Sequence, residues 1–256
     1  LHKPLLFLMK SKINFNVKII DKDNICSSSP AIYVVNHTNS FDIPVASAII
    51  KKHHYVLLGT QPLEIMDRTA FILNGVVWVN RKDKHSKAKA KQKMIDIIKS
   101  GTNILMFPEG TWNISENKLM LPLHWGVIDI AKECNVPVIP IILDYSPKLC
   151  TAKIGKQLFF NKNDDKKNAI NKLRDAMATL RYELWEQQGI FKRINIKKDD
   201  FNNILKKAVD EYPKLDLEYE ISVARKEYDE YKKVFNHLSY VKPTKKTAFL
   251  FNKRLK

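Results

Sequence analysis

The stretch AIYVVNHTNSFD, residues 31–42, places a short apolar run directly before a polar loop. The run Ala31–Val35 has the length and the β-branched and aromatic side chains that are typical of a buried strand. The segment Asp42–Lys51 has the composition of a helix, and we expect Asn39 or Ser40 to be its N-cap. The stretch therefore predicts a strand, a polar loop and a helix in immediate succession.

The same alternation continues through the first three quarters of the chain. We predict further strands at Val76–Val79, Ile104–Phe107 and Val138–Leu143, and further helices at Asp83–Lys99, Gly126–Cys134 and Asn168–Gln188. Alternating strands and helices predict an α/β fold with a mixed, mainly parallel sheet flanked by helices. We place the end of this main domain at residue 189 and expect residues 190–256 to form a basic, mostly helical C-terminal extension.

The composition favours a partner that carries negative charge. The chain has 256 residues, 45% of them hydrophobic, and a net charge of +17. Anionic lipid headgroups, nucleic acids and phosphorylated substrates all attract such a protein. No apolar run approaches the roughly 18 residues of a membrane-spanning helix. The apolar segment 5–9 is shorter, and we expect residues 1–15 to contact a lipid surface.

The three cysteines, Cys26, Cys134 and Cys150, show neither a disulfide framework nor the spacing of metal ligands. This pattern is typical of a reducing compartment, and it predicts no metal site. We interpret Cys134, within an apolar helical stretch, as a small hydrophobic residue of the core.

The first group of residues that could support catalysis is Asn36-His37-Thr38-Asn39-Ser40-Phe41-Asp42. A hydroxyl group attacks a thioester at neutral pH only when a base takes its proton, and a positioned imidazole can do so. A carboxylate bonded to the other ring nitrogen would hold that imidazole in one tautomer. His37 and Asp42 can meet if the loop curls. Taken alone, the spacing is weak evidence and favours a solvated loop histidine.

Three further segments place polar residues at strand ends or prolines at a strand start. Gly75–Arg81 delivers an arginine whose planar fork suits a phosphate group. Phe107–Thr111 presents Glu109 beside a glycine, which permits close backbone approach to a ligand. Val136–Pro140 is an apolar strand entry whose prolines predict a strand start or an edge strand. Each segment also has a plain structural interpretation as a turn, a surface cation or core packing.

Together, the four segments resemble the four sequence blocks of the glycerolipid acyltransferases of the 1-acylglycerol-3-phosphate acyltransferase type. The first block of that family is Asn-His followed by four residues and Asp, as in Asn36–Asp42. Its second is a strand that ends in Arg, its third reads Phe-Pro-Glu-Gly-Thr-Arg, and its fourth reads Val-Pro-Val-Ile-Pro. All four occur here in the family's order and approximate spacing, and the resemblance covers residues 15–189.

The resemblance implies an O-acyltransferase with the glycerol-3-phosphate acyltransferase-like sandwich fold. It implies that His37 is the general base and that Asp42 orients it. The donor would be acyl-CoA or an acyl carrier protein thioester, with no metal, no other cofactor and no covalent enzyme intermediate. The acceptor would be a lysolipid or a related hydroxyl compound. The resemblance further implies an acceptor site formed by Arg81, Glu109, Gly110, Thr111, Trp112 and His124.

Two positions depart from the family's pattern at the acceptor end. Trp112 stands where the third block ends in arginine, and His124 stands where the family usually has a lysine. Both family residues are cations that face phosphate. Loss of two charge-assisted contacts would cost about 3 kcal/mol or more. We therefore expect an acceptor other than lysophosphatidic acid, for example a glycolipid or a sugar. Arg81 could still bind a phosphate group, so an acceptor that carries phosphate is not excluded.

Two other function classes have weaker support. The charge suits a nucleic-acid-binding protein, but no RNA-binding or zinc-finger motif accompanies it, so we expect no nucleic acid partner. A hydrolase using His37 on water would lack the Gly-x-Ser-x-Gly elbow of the α/β-hydrolases. The basic helix predicted at Asp83–Lys99 fits a solvated helix face as well as a face that meets anionic headgroups or the phosphates of a CoA donor. We predict a peripheral protein of the cytoplasmic membrane face.

Overall fold

The computed structural model describes residues 11, 13–25, 30–60, 65–113, 119–146 and 148–187. These residues form one sheet and five α-helices. The strands are β1 Asn16–Ile20, β2 Ile32–Val35, β3 His54–Gly59, β4 Val76–Val79, β5 Asn103–Met106, β6 Val138–Ser146 and β7 Leu149–Ile154. The helices are α1 Asp42–Ile50, α2 Ile65–Asn74, α3 Lys84–Lys99, α4 Gly126–Cys134 and α5 Lys166–Gln187.

The sheet has seven strands in the order β1-β7-β6-β2-β5-β3-β4. All neighbouring strands are parallel except β6 and β7, which form an antiparallel pair. The strands β6, β2, β5, β3 and β4 therefore all end at one edge of the sheet. In open α/β sheets this carboxyl edge is where ligands bind. The mixed, mainly parallel sheet flanked by helices was predicted correctly from the sequence.

The core lies on both faces of the sheet because successive strand residues point to opposite sides. In β2, Ile32 and Val34 contribute to one buried cluster, whereas Tyr33 and Val35 contribute to the other. Helices α3, α4 and α5 cover the first face, and α1 covers the second. This burial on both sides explains why the central strands read as continuous apolar runs.

Most predicted elements occur within a few residues of their expected bounds. The structure adds four elements that the sequence reading omitted: β1, β3, α2 and β7. Of these, β1 has exposed or half-buried residues throughout, so it lacks the apolar run that marks the central strands. The strand β3 begins at His54, which is buried and hydrogen-bonded to Ser47.

Two local predictions were wrong. Neither Asn39 nor Ser40 caps α1: the N-cap is Phe41, without a side-chain cap, because the Asn39 side chain instead accepts from the Phe41 N–H. Nor is Val136–Pro140 confined to a strand start or an edge. Pro140 is the third residue of a central strand, which is tolerated because β7 pairs with β6 only from Ile141 onward.

Several predictions concern residues outside those described. They are the lipid-contacting segment 1–15 (of which only residues 11 and 13–15 are described), Cys26 and the extension 190–256, so the domain boundary at 189 stays a prediction. Cys134 is half-buried against the core, close to its expected role. In the part of the chain that the structure describes, no helix is long and apolar enough to cross a bilayer.

Candidate active site

Four chain segments meet at the carboxyl edge of the sheet. They are the loops that follow β2, β4 and β5, and the end of β6. The first three carry His37, Arg81 and Glu109, which the sequence had already singled out. His37 and Glu109, 72 positions apart in the chain, become neighbours here, because β2 and β5 are adjacent parallel strands that end together.

His37 and Asp42 form the central pair of the site. Nδ1 of His37 lies 2.8 Å from Oδ2 of Asp42. The Asp42 side chain is fully buried, whereas the His37 side chain is 20% exposed. A carboxylate can only accept a hydrogen bond, so the neutral imidazole carries its proton on Nδ1 and leaves Nε2 unprotonated. The loop therefore curls as the proposed pairing requires.

The loop curls because Asp42 collects its backbone N–H groups. Oδ2 of Asp42 accepts from the N–H of Thr38 at 2.5 Å and from the N–H of Asn39 at 2.9 Å. Oδ1 accepts from the Thr38 hydroxyl at 3.2 Å. Asp42 also lies in the first turn of α1, where the helix dipole favours negative charge. These contacts compensate the burial of the carboxylate.

A tyrosine from a strand that is distant in the sequence also contacts Asp42. The Tyr145 hydroxyl at the end of β6 donates to Oδ1 of Asp42 at 2.8 Å. Burial, together with the charge of Asp42, raises the pKa of Tyr145 far above its ordinary value, so the hydroxyl keeps its proton. The sequence reading missed Tyr145. Its available signal was its place at the end of a strand, but only the strand order shows that β6 lies beside β2.

Aromatic side chains form the walls around His37. The ring centroid of Phe107 lies 4.4 Å from that of His37, and the ring of Trp112 approaches edge-on at 6.0 Å. Trp112 is buried, with 6% of its surface exposed. Trp112 therefore packs beside the His37 ring, and a substrate would meet little more than the edge of the indole.

Glu109 connects the first and third sequence blocks. Oε1 accepts from the His37 N–H at 3.1 Å, and Oε2 accepts from the Leu121 N–H at 2.7 Å. Its complete burial raises the pKa of Glu109 to about 7, although these N–H groups and the charge of Arg181 oppose the rise. Both oxygens are thus occupied by backbone groups. Glu109 organises two loops here and offers no free face to an acceptor.

Gly110, Arg81 and His124 form a tight contact beside Glu109. Gly110 has φ +73°, a conformation that favours glycine, and a Cβ at this position would lie 2.4 Å from Nε2 of His124. The Arg81 guanidinium donates to the Gly110 carbonyl, and the His124 N–H donates to the Pro108 carbonyl at 2.8 Å. The structure thus brings together three of the expected acceptor-site residues.

Thr111 follows Gly110 in the chain, and Arg181 lies near Glu109. The Thr111 hydroxyl is buried and has no hydrogen-bond partner among the described residues. Arg181, on α5, donates to the Leu119 carbonyl at 2.6 Å and lies over the Trp185 ring. Sequence reading missed Arg181 because it lies on the apolar side of α5, where a cation was not expected.

A buried carboxylate that orients a partly exposed imidazole, beside the Pro-Glu-Gly-Thr turn, matches a known family. The model of the family described as Acyltransferase matches residues 16–144, half of the chain. The chain belongs to the acyltransferase family. The recognition made from the four sequence blocks is thereby confirmed.

This acyltransferase resembles several curated proteins over part of their length. It is 27% identical over 179 residues to a 1-acyl-sn-glycerol-3-phosphate acyltransferase of Chlamydomonas reinhardtii, covering 64% of this chain and 53% of that protein. It is 23% identical over 150 residues to the 1-acyl-sn-glycerol-3-phosphate acyltransferase of Saccharomyces cerevisiae, covering 58% and 49%. The chain thus spans about half the length of these relatives.

A solved structure supports the fold of the acyltransferase. The crystal structure of the 1-acyl-sn-glycerophosphate (LPA) acyltransferase PlsC from Thermotoga maritima aligns with a TM-score of 0.59 at 17% identity. The alignment covers 74% of this chain and 80% of that one. At this identity the likeness concerns the arrangement of sheet and helices.

Proposed function

We propose that this protein transfers a fatty acyl group from a thioester to the hydroxyl of a lysolipid-type acceptor, with His37 as general base. The observation that carries the proposal is the contact of 2.8 Å between His37 Nδ1 and the buried Asp42 carboxylate. It leaves Nε2 of a partly exposed ring for the acceptor hydroxyl. The names of the relatives support the same reaction class.

In the proposed mechanism, Nε2 of His37 takes the proton of the acceptor hydroxyl as its oxygen attacks the thioester carbonyl carbon. A C–O bond forms and the C–S bond breaks. The departing thiolate receives the proton from the imidazolium, which returns His37 to its starting state. The negative charge of Asp42 stabilises the imidazolium in between. This reaction requires no metal and no prosthetic group.

The two cysteines that the structure describes, Cys134 and Cys150, are not suited to act as nucleophiles in this reaction. Burial raises the pKa of the Cys150 thiol to about 12, so the reactive thiolate is not formed near neutral pH. Cys134 ends α4, which runs away from the carboxyl edge, and burial also raises the pKa of its thiol. Direct transfer from donor to acceptor is therefore the proposed route.

The donor is proposed to be acyl-CoA or an acyl carrier protein thioester. The helix α3 begins just after Arg81, at the carboxyl edge of the sheet, and its lysines 84, 87 and 89 are exposed there. Their positive charge favours the phosphates of CoA or the acidic surface of a carrier protein. It equally favours anionic headgroups, so the protein is proposed to work at an anionic membrane surface.

A second candidate acceptor lacks a phosphate monoester, as in a glycolipid or a sugar. Trp112 and His124 favour it, because neither supplies the full charge of the arginine and lysine that the family has in their place. Arg81 still reaches the Gly110 carbonyl, so one guanidinium is present beside the site. A competition assay between lysophosphatidic acid and lyso-glycolipids or sugars distinguishes the two acceptors.

The reaction is tested with the full chain, labelled oleoyl-CoA and lysophosphatidic acid or a total lipid and metabolite extract, with mass spectrometry of the products. We expect the label on an acceptor hydroxyl and its loss in His37→Ala. Label released only as free fatty acid would indicate a thioesterase and contradict transfer. Transfer that persists in a folded His37→Ala variant would contradict the proposed base.

A further inference from the structure

Asp42 receives its hydrogen bonds from two different parts of the molecule. Four donor groups come from the loop between β2 and α1: the His37 ring, the backbone N–H and the hydroxyl of Thr38, and the backbone N–H of Asn39. Among the described residues, Tyr145 is the one donor to Asp42 from outside that loop. The loop contacts fix the carboxylate relative to the loop, but Tyr145 fixes it relative to the sheet.

The geometry divides these donors between the two carboxylate oxygens. Oδ2 faces the His37 ring and the backbone of the loop, while Oδ1 faces the Tyr145 hydroxyl at 2.8 Å and the Thr38 hydroxyl at 3.2 Å. Rotation of the carboxylate about its Cβ–Cγ bond would break the Tyr145 contact and move Oδ2 away from Nδ1. The phenol therefore restricts the rotation that would release the imidazole.

Tyr145 is itself held on several sides. Its cross-strand partner in the β6–β7 pair is Cys150, which is buried beside it. The ring of Phe15 packs edge-on against Tyr145, with centroids 5.7 Å apart, and also against Phe41 at 5.3 Å. Aromatic pairs in this arrangement have few alternative rotamers when packed. The hydroxyl thus has a defined position before any substrate binds.

We propose that Tyr145 is a positioning residue, which orients Asp42 and through it holds the His37 imidazole in the Nδ1–H tautomer. The inference rests on the proposed function, in which His37 Nε2 is the base. Tyr145 has no part in the chemistry itself, since it reaches His37 only through Asp42. Its hydroxyl keeps its proton at working pH because burial and the neighbouring carboxylate raise its pKa.

The test uses Tyr145→Phe, which removes the hydroxyl and keeps the ring that packs on Phe15. The matched control is Tyr182→Phe, which removes an exposed hydroxyl bonded to Glu186 within α5. The full chain is labelled with 15N-histidine, and the His37 ring signals are assigned by their absence in His37→Ala. The 15N shifts report the tautomer directly, whether or not an acceptor has been found.

We expect wild type and the control to show His37 as Nδ1–H, and Tyr145→Phe to show a mixture with the Nε2–H form. With oleoyl-CoA and the acceptor, kcat should fall about tenfold, as expected for one lost hydrogen bond to a charged group, while KM changes less than twofold. His37 shifts that are identical in wild type and Tyr145→Phe would overturn the proposal, and so would an Nε2–H ring in the wild type.

The two readouts separate this inference from the proposed function. If no acceptor gains the label but the tautomer changes as expected, the positioning role stands and the acyl transfer fails. If kcat falls while the tautomer is unchanged, the hydroxyl has a merely structural effect and the positioning role is contradicted.

Discussion

Oε1 of Glu109 accepts a hydrogen bond from the backbone N–H of His37 at 3.1 Å. This contact ties the turn after β5 to the loop after β2 at the residue proposed as the base. The other oxygen, Oε2, accepts from Leu121 at 2.7 Å, so one carboxyl group connects three segments of the site. Because that group is fully buried, its protonation affects the stability of the whole arrangement.

Glu109 should make the folded protein less stable as the pH rises. Burial raises its pKa from 4.5 to about 7 in the folded state. Below pH 4.5 the carboxyl group is protonated in both the folded and the unfolded protein, and the contribution of Glu109 to folded-state stability is fully present. Between 4.5 and 7 only the folded state retains the proton, so the contribution is lost as pH rises through this window. The free energy of unfolding falls in total by on the order of 3 kcal/mol.

The measurement is urea unfolding of wild type and Glu109→Gln at pH values from 5 to 8. Wild type should lose stability relative to the variant as pH rises, and the difference should level off above about pH 8, one unit past the folded pKa. The exposed Glu133→Gln serves as control and should show no such trend. A wild-type advantage that grows with pH would contradict the buried, proton-binding carboxyl.

His37→Ala should lower kcat by about 10²–10⁴, the usual range for loss of a general base. Asp42→Asn should lower kcat in the same direction. In the structure Asp42 only accepts, so an amide group there turns its N–H toward a donor and costs about 1–3 kcal/mol of stability. His85→Ala, an exposed histidine of α3, is the control. A folded His37→Ala enzyme with near-wild-type kcat would end the proposed mechanism.

Gly110→Ala should disturb the site more than an ordinary glycine substitution. A residue other than glycine at φ +73° is strained by about 1–3 kcal/mol, and the new Cβ would meet the His124 ring at 2.4 Å. We expect a lower melting temperature and reduced transfer. Gly126→Ala, where φ is not positive and no atom lies within 4 Å of the new Cβ, is the matched control. Equal melting temperatures for both variants would refute this prediction.

Binding to anionic vesicles should depend on α3. Lysines 84, 87 and 89 are exposed on this helix, and each contributes about 1 kcal/mol near an anionic surface at low salt. Their triple replacement by glutamate should abolish sedimentation with phosphatidylserine vesicles, as should high salt. The control is the same replacement at lysines 148, 156 and 162, which are exposed elsewhere. Binding to neutral vesicles that equals binding to anionic ones would remove the electrostatic interpretation.

The acceptor should be one that does not depend on two phosphate-binding cations. In a competition assay at equal concentrations, we expect lyso-glycolipids or sugars to gain more label than lysophosphatidic acid. The physical reason is that a site with missing polar contacts discriminates steeply in kcat/KM. The double variant Trp112→Arg, His124→Lys should then recover part of the use of lysophosphatidic acid.

The structure adds a condition to that rescue. Trp112 is buried edge-on against His37, so an arginine at this position must also replace its packing. His124→Lys alone is therefore the gentler control. If lysophosphatidic acid wins the wild-type competition by a wide margin, Arg81 and the remaining contacts suffice and the substitutions have no bearing on the acceptor.

The sequence by itself determined four of the seven described strands, four of the five described α-helices and the pair His37 and Asp42. Central strands of a parallel sheet are apolar on both faces, so β2, β5 and β6 stand out as unbroken apolar runs. The pairing of His37 with Asp42 was also within reach of the sequence, because five residues of loop and helix start suffice to join them. These are local features, and local spacing fixes them.

Only the tertiary structure decided which distant residues complete the site. The edge strand β1 and the antiparallel β7 lack a distinctive apolar run, so neither they nor the strand order could be derived from periodicity. That order places Tyr145 of β6 beside Asp42 and brings Arg181 of α5 near Glu109. The tertiary structure also shows that Glu109 accepts hydrogen bonds from two backbone N–H groups and that the buried Trp112 packs against His37. Such contacts depend on which strands are neighbours, and residue spacing along the chain does not carry that information.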